Sequence, residues 1–371
     1  MTVGSFGAVI LAAGFSSRMG GFKPLMDLGG MTVLSRCVHV FREAGIGSPL
    51  VVTGHRAPEV EAEAVRLGVS ATHNAAYADG MFSSVRAAAT ACAGLSDMDA
   101  FFILPVDIPL VRPATVGLML DAYDGRVAYP VFAGERGHPP LLPADLIPRI
   151  LGHDGRGGLQ GLLADAPSLD VPVWDRGILL DADTPGDFAV LQRRASRLHV
   201  GERDEALALA GLSMPERGVA HGLAVAAVAL RMGEELNRKG AGLDLDLVHN
   251  AALLHDVAKG WPYHEAAGGE LLARLGLGGL SGIVSAHRDV PPPASGLLTE
   301  KEVVCLADKL VRCDRRISVE DRFGEKLALY ACDENACAAI RGRMSNSLAL
   351  RCMVEKACGR GLEDILAGVL P

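Results

Sequence analysis

In the first half of the chain, short runs of apolar residues alternate with segments whose apolar positions recur every three or four residues. The runs at 9–12, 50–53, 71–73, 101–106, 127–130 and 178–181 read as strands. The stretches 32–44, 58–67, 83–93, 113–122 and 185–194 carry the spacing of amphipathic helices. Alternation of this kind predicts a mostly parallel sheet covered on both faces, with ligands gathered at the carboxyl ends of its strands. From about residue 202 the strand pattern stops. Helical spacing runs through 202–212, 216–237, 245–256, 264–275, 299–316 and the tail, interrupted by Gly- and Pro-rich breaks such as "DVPPPASG". The charged stretch "LQRRASRLHVGERDE" separates the two rhythms. An α/β domain over 1–195 followed by an all-α domain over 196–371 is therefore expected, and 371 residues suit two domains.

Composition narrows the partners. A net charge of −8 argues against a nucleic-acid surface, which needs clustered Lys and Arg to neutralise phosphates. Eight cysteines show no regular framework in a chain too large for a secreted disulfide scaffold. The first apolar run stops at Gly14, too soon for a signal peptide, and the apolar stretch 223–230 meets Arg231 before it could span a bilayer. These features predict a cytoplasmic protein without a membrane partner.

The first strand runs directly into "AAGFSSRMGGFK", residues 12–23. Gly14, Gly20 and Gly21 would allow positive φ and bring backbone N–H groups close to an anion. Arg18 can fork onto two phosphate oxygens and Lys23 adds a point charge. The spacing fits neither GxxxxGK[ST] nor GxGxxG, and a surface turn with solvated cations is the plain alternative. Asp107, at the end of an apolar strand, suits a hard cation such as Mg²⁺, or caps the turn before Pro109. In "DADTPGDF", Thr184 and Pro185 read as N-cap and first helical residue, with Asp187 as a capping partner. In the second half, His255 and Asp256 end an apolar helix, where burial without partners would cost several kcal/mol. A metal ion would satisfy both. Cys313, Cys332, Cys337, Cys352 and Cys358 lack a C-x-x-C pair and read as ordinary buried thiols, with an iron–sulfur site as the alternative.

The pattern L-A-A-G-x-S-x-R-M-G-x-x-K resembles the signature of nucleotidyltransferases. With "VVTGHR", "HNAAYADGMFSSVRAA", "PVDIPLV", "GHPPLL" and "LLDADTPGDF" in that order, residues 6–194 resemble the molybdenum cofactor cytidylyltransferases of the MobA-like NTP transferase family. The resemblance implies a three-layer Rossmann-like fold and transfer of CMP from CTP to Mo-molybdopterin with release of pyrophosphate. A molybdoenzyme or its chaperone is a candidate partner. "LAAG" is the form associated with pyrimidine-using relatives. The resemblance places Ala12, Ala13, Gly14, Ser16, Arg18, Lys23, Gly80 and Ser84 on the nucleotide, Asp107 and Asp183 on Mg²⁺, and His138 and Asp181 on the acceptor side. A sugar- or alditol-phosphate nucleotidyltransferase is the alternative.

Over about 202–320, His221, the His255–Asp256 pair and Asp308 follow the H…HD…D order of the HD phosphohydrolase superfamily. By resemblance these four form a mixed N/O ligand set suited to Mn, Fe or Zn. His264 and His287 stand where some members hold a second metal, and two metals suit phosphoester hydrolysis. Lys259 either meets the leaving phosphate or is a solvated helix-end cation. The domain's substrate stays open, and a nucleotide-sensing role is the alternative to hydrolysis.

Overall fold

The computed structural model describes residues 5–94 and 98–370. Its contacts divide the chain into two compact units, Met1–Arg197 and Leu198–Pro371.

The first unit is an α/β domain. Its strands are β1 (Phe6–Leu11), β2 (Leu50–Thr53), β3 (Ala71–His73), β4 (Ala100–Pro105), β5 (Val127–Phe132), β6 (Glu135–Arg136), β7 (Leu141–Pro143) and β8 (Ser168–Pro172). They form one mixed sheet in the order β3-β2-β1-β4-β7-β5-β6, with β8 on β5. β1 pairs parallel with β2 and β4, β2 with β3, and β5 with β8, whereas β7 runs antiparallel between β4 and β5. β1 and β4 are buried nearly throughout, because the helices α1 (Val33–Glu43), α2 (Ala57–Arg66), α3 (Met81–Cys92), α4 (Pro113–Ala122), α5 (Ile147–Gly152), α6 (Gly158–Leu163) and α7 (Pro185–Arg197) leave these central strands no wet face.

One predicted strand is absent. The run at 178–181 begins inside a single 3₁₀ turn, Arg176–Leu179, where the Asp175 side chain accepts from the Gly177 N–H. Gly177 sits so close to the Leu110 carbonyl that a Cβ would lie 2.1 Å from it. That approach fixes the local path as a turn. The short strands β6 and β7, and β8 with its exposed edge, escape the apolar pattern because each buries too few residues to show alternation.

The second unit is helical: α8 (Arg203–Ser213), α9 (Glu216–Arg238), α10 (Leu245–Leu254), α11 (His264–Arg274), α12 (Gly278–Ala286), α13 (Glu300–Lys309), α14 (Val319–Leu329), α15 (Glu334–Cys358) and α16 (Leu362–Ile365). The helix expected over 299–316 stops at Lys309, and a two-stranded hairpin pairs Val311–Arg312 with Arg315–Arg316. Helix α12 was not legible as an element of its own. Two glycines set the packing. A Cβ on Gly222 would meet the Leu253 carbonyl at 2.3 Å, so only glycine lets α9 cross α10 this closely. Gly269 does the same for α11 against Ser281 and Ser285 of α12. The first crossing lies beside His221. No helix among the described residues is long and apolar enough to cross a membrane.

Candidate functional site

Each unit gathers charged side chains at one place. In the first, β1 and β4 lie side by side in parallel, with Leu11 in register with Pro105, so the residues after both strands emerge at the same sheet edge. The glycine-rich loop follows β1 and Asp107 follows β4. Ala182 donates its N–H to the Asp107 carbonyl at 2.8 Å, which brings the 181–183 segment alongside. Lys23 then reaches between two carboxylates: its Nζ is 2.9 Å from Asp183 Oδ1 and 3.4 Å from Asp107 Oδ2. Arg18 pairs with the other Asp183 oxygen at 2.7 Å. The hydrogen bond from Lys23, with the Arg18 charge behind it, holds the Asp183 carboxyl below its ordinary range. Asp181 moves the other way. Partial burial and the like charges of Asp183 and Asp107 push it up.

The loop departs from expectation in its backbone. Of the three glycines, Gly20 takes positive φ; Gly14 and Gly21 do not, and Ser16 takes φ 55° instead. Ser16 is held there by its Oγ, which accepts the Lys23 N–H at 3.1 Å and closes the loop on itself. The Ala12 N–H is spent on the Val52 carbonyl, and the Ala13 carbonyl accepts from His55. Gly80, at φ 97°, is the N-cap of α3, which starts at Met81, two residues before the helix expected from residue 83. Ser84 is buried and accepts from Asn74 Nδ2 at 3.0 Å, so its hydroxyl is tied to the frame rather than offered at the surface. Asn74 also bonds Ser83. It is the residue that orders this helix start, and it lay unremarked inside "HNAAYADG". Thr184 and Asp187 form reciprocal bonds at the start of α7, a cap with no place in the charge cluster.

His138 lines a cavity of about 520 Å³ beside the cluster, with Leu11, Phe82, Tyr129 and Arg136. Burial lowers its pKa, so the ring is neutral at pH 7.

In the second unit, His221 near the start of α9, His255 after α10 and Asp308 near the end of α13 converge. Asp256, His287 after α12 and His264 at the start of α11 join them. Three of the four histidines are oriented by backbone: Nδ1 of His221, His255 and His287 contacts the carbonyls of Cys313, Ala252 and Val284 at 2.8, 2.7 and 2.7 Å. That leaves Nε2 of each aimed at a carboxylate, the arrangement metal-ligating histidines need. Nε2 of His221 and of His255 lie 3.4 and 3.7 Å from Asp308 Oδ1. Asp256 Oδ1 faces His264 and His287 at 3.6 and 3.7 Å. These gaps exceed a direct N–H···O bond of about 2.7–3.2 Å. His255 Nε2 is buried with no hydrogen-bond partner. An unpartnered nitrogen facing two carboxylates fits a divalent cation, and the donor set suits Mn, Fe or Zn.

The charges are strongly coupled. Burial alone would lower His255, but the Asp256 and Asp308 carboxylates outweigh it and raise its pKa. Burial would raise both aspartates; their cationic neighbours hold both well below the usual range. Burial and the His255 charge pull His287 down to about 4. Lys259 is largely exposed and is paired with Asp256. Arg322 and Lys309, both on Asp308, were not legible as parts of this site. Of the late cysteines, Cys337 and Cys358 are buried, whereas Cys313, Cys332 and Cys352 are exposed, contrary to the reading of all five as buried. No group that could hold a metal among the described residues includes a cysteine.

Residues 8–172 match the MobA-like NTP transferase domain family, and 218–313 match the HD domain family. The chain carries both domains. The first unit is thus of nucleotidyltransferase type and the second of a type that implies divalent metal binding. The chain is 26% identical over 191 residues to the molybdenum cofactor cytidylyltransferase of Escherichia coli K12, covering 51% of this chain and 97% of that protein. It is 42% identical over 88 residues to the bifunctional IPC transferase and DIPP synthase of Rubrobacter xylanophilus, 22% of this chain and 20% of that one. Among solved structures, Rv0371c of Mycobacterium tuberculosis is 26% identical with a TM-score of 0.46, over 52% of this chain and all of that chain.

Proposed function

We propose that the first domain transfers CMP from CTP to the terminal phosphate of Mo-molybdopterin, and that the HD domain hydrolyses a phosphoester, in the cytoplasm. The observation that carries the transferase reading is the meeting of Lys23 and Arg18 with Asp107 and Asp183 at the ends of β1 and β4. Lys23 already bridges the two carboxylates and Arg18 pairs with Asp183, so an arriving triphosphate can draw Lys23 and Arg18 onto its oxygens. Asp107 and Asp183, freed of them, would hold Mg²⁺, which supplies charge neutralisation when bound. The acceptor phosphate oxygen, already ionised, attacks the α-phosphorus; the bond to the β-phosphate oxygen breaks, and pyrophosphate leaves with the electron pair. No protein base is required. Neutral His138, in the adjoining cavity, is suited to donate to or accept from the acceptor. Likeness to the E. coli enzyme along nearly its whole length supports this acceptor.

A phosphate-bearing alditol or sugar acceptor is the second reading, favoured by the 42% identity to the Rubrobacter transferase. Pyrophosphate release from each of the four NTPs, with purified Mo-molybdopterin or a sugar-phosphate panel, separates the two. Turnover with CTP and Mo-molybdopterin is expected; none there, with brisk turnover on a sugar phosphate, overturns the first reading.

For the HD domain, His221, His255, His264, His287, Asp256 and Asp308 would hold one or two transition-metal ions, whose chemistry is polarisation of a phosphoryl oxygen and activation of water. Phosphate release from a phosphoester panel tests this. Bound metal without hydrolysis of any member would favour a sensing role.

A further inference from the structure

The second unit continues beyond residue 313, where the HD match ends, into α14 and α15. These helices line one side of a cavity of about 690 Å³ that also contains the histidine–aspartate cluster. Six cations line it, Lys259, Arg288, Lys309, Arg322, Lys326 and Arg343, against three carboxylates, Asp256, Glu265 and Asp308. Each carboxylate is already engaged. Lys259 is on Asp256, Arg288 is 3.3 Å from Glu265, and Lys309 and Arg322 hold Asp308 at 2.6 and 3.1 Å. Lys326 on α14 and Arg343 on α15 are left over: among the described residues, neither has a carboxylate within 4.0 Å.

Surplus cations in a concave site repel one another unless an anion joins them. The repulsion is felt at Lys326, whose pKa is lowered by partial burial and by the charges of Arg322 and Lys309. Any metal ion held at the cluster adds further positive charge and increases the demand for anions. Beside these two cations, Leu329 and Tyr330 are 76% and 48% exposed, large apolar side chains without cover. The same wall thus offers charge for a phosphate and an apolar surface for the body that carries it.

We propose that α14 and α15 select the substrate of the metal site: a bisphosphorylated small molecule, with one phosphoryl group at the cluster and a second phosphate held by Lys326 and Arg343. This rests on the reading of the cluster as a phosphoester-binding metal site. Lys326 and Arg343 act in binding and selection and are not among the metal-facing residues.

The test is calorimetric titration of the manganese-loaded full chain with AMP and with adenosine 3′,5′-bisphosphate, in an Arg18→Ala/Lys23→Ala background so that the first unit's two loop cations do not contribute. The bisphosphate is expected to bind at least about tenfold more tightly than AMP, as one additional charge-assisted phosphate contact would give. In Lys326→Ala/Arg343→Ala that preference should fall to within about threefold, with manganese content unaltered. Lys326→Glu alone should reverse it. Manganese bound with equal affinity for the two probes, or a preference that survives both variants, overturns the proposal. Failure of the parent to retain manganese overturns the metal-site reading beneath it, which is a separate result.

Discussion

The two charge clusters solve the same electrostatic problem in opposite ways. In the front unit, Asp107 and Asp183 converge on the chain's own cations: Lys23 bridges them and Arg18 pairs with Asp183. Their side chains remain 24% and 31% exposed. In the back unit, Asp256 and Asp308 are 7% and 8% exposed, and an imidazole nitrogen facing both has no hydrogen-bond partner. A half-open pair with built-in counter-ions suits a metal that arrives and leaves with a nucleotide. A buried set with an orphaned ligand nitrogen suits a resident one, because desolvated ligands lose most when the ion is missing. Burial and partner identity, rather than the number of acidic residues, separate a transient site from a permanent one.

The sharpest way to break this contrast is to remove the internal cation. Lys23→Ala should lower pyrophosphate release by about 10²–10³-fold, the scale for losing one preorganised charge partner in a transferase site. Steady-state rates at saturating nucleotide check it, and a loss under about threefold would assign Lys23 to the frame.

A second variant asks whether every buried carboxylate marks a site. Asp175 is fully buried, accepts from the Arg112 N–H, Thr115 and Gly177, and lies 3.6 Å from Arg194 of α7. Its role is architectural: it ties the turn before 181–183 to α4 and α7. Asp175→Ala should destabilise the front unit by about 3–5 kcal/mol, read by urea unfolding, since it strands buried guanidinium groups. Asp308→Asn should instead cost metal while keeping the front unit's unfolding midpoint.

Thiol chemistry gives a milder contrast. Burial raises the Cys37 thiol far above its ordinary range, and Cys305 to about 11, so neither should be alkylated by iodoacetamide at pH 8 in the native chain. Exposed Cys313, Cys332 and Cys352 should be modified, as mass spectrometry would show.

The smallest effect concerns His138. Its folded pKa lies below the ordinary 6.5, so the unfolded chain binds the proton more readily. Its contribution to stability is therefore whole above about pH 6.5 and declines as pH falls through that value. His138→Gln should flatten the front unit's unfolding midpoint between pH 7.5 and 5.5; an unchanged slope would exclude His138 as its source.

The sequence was a better guide to residues that share a motif than to those brought together by packing. The central parallel strands were legible because β1 and β4 are buried nearly throughout, which leaves continuous apolar runs, whereas their order in the sheet was not read. His255 and Asp256 were legible because two polar residues close an apolar helix. Arg322, Lys326 and Arg343 were not, since each sits among other charged residues on helices whose solvent faces look alike in one dimension. Asn74 was missed because an asparagine in a turn has ordinary local uses. The turn at Arg176–Leu179 was misread because an apolar run of three, Ile178–Leu180, carries no period, and Gly177 against Leu110 decides its path.

The difference between the clusters is tested most directly by metal analysis of the purified full chain after exhaustive dialysis against metal-free buffer. The predicted result is about one or two transition-metal ions per chain, absent from His255→Ala and retained in Asp107→Ala. A dialysed chain with no bound metal, or one that loses its metal equally with Asp107→Ala, would contradict it.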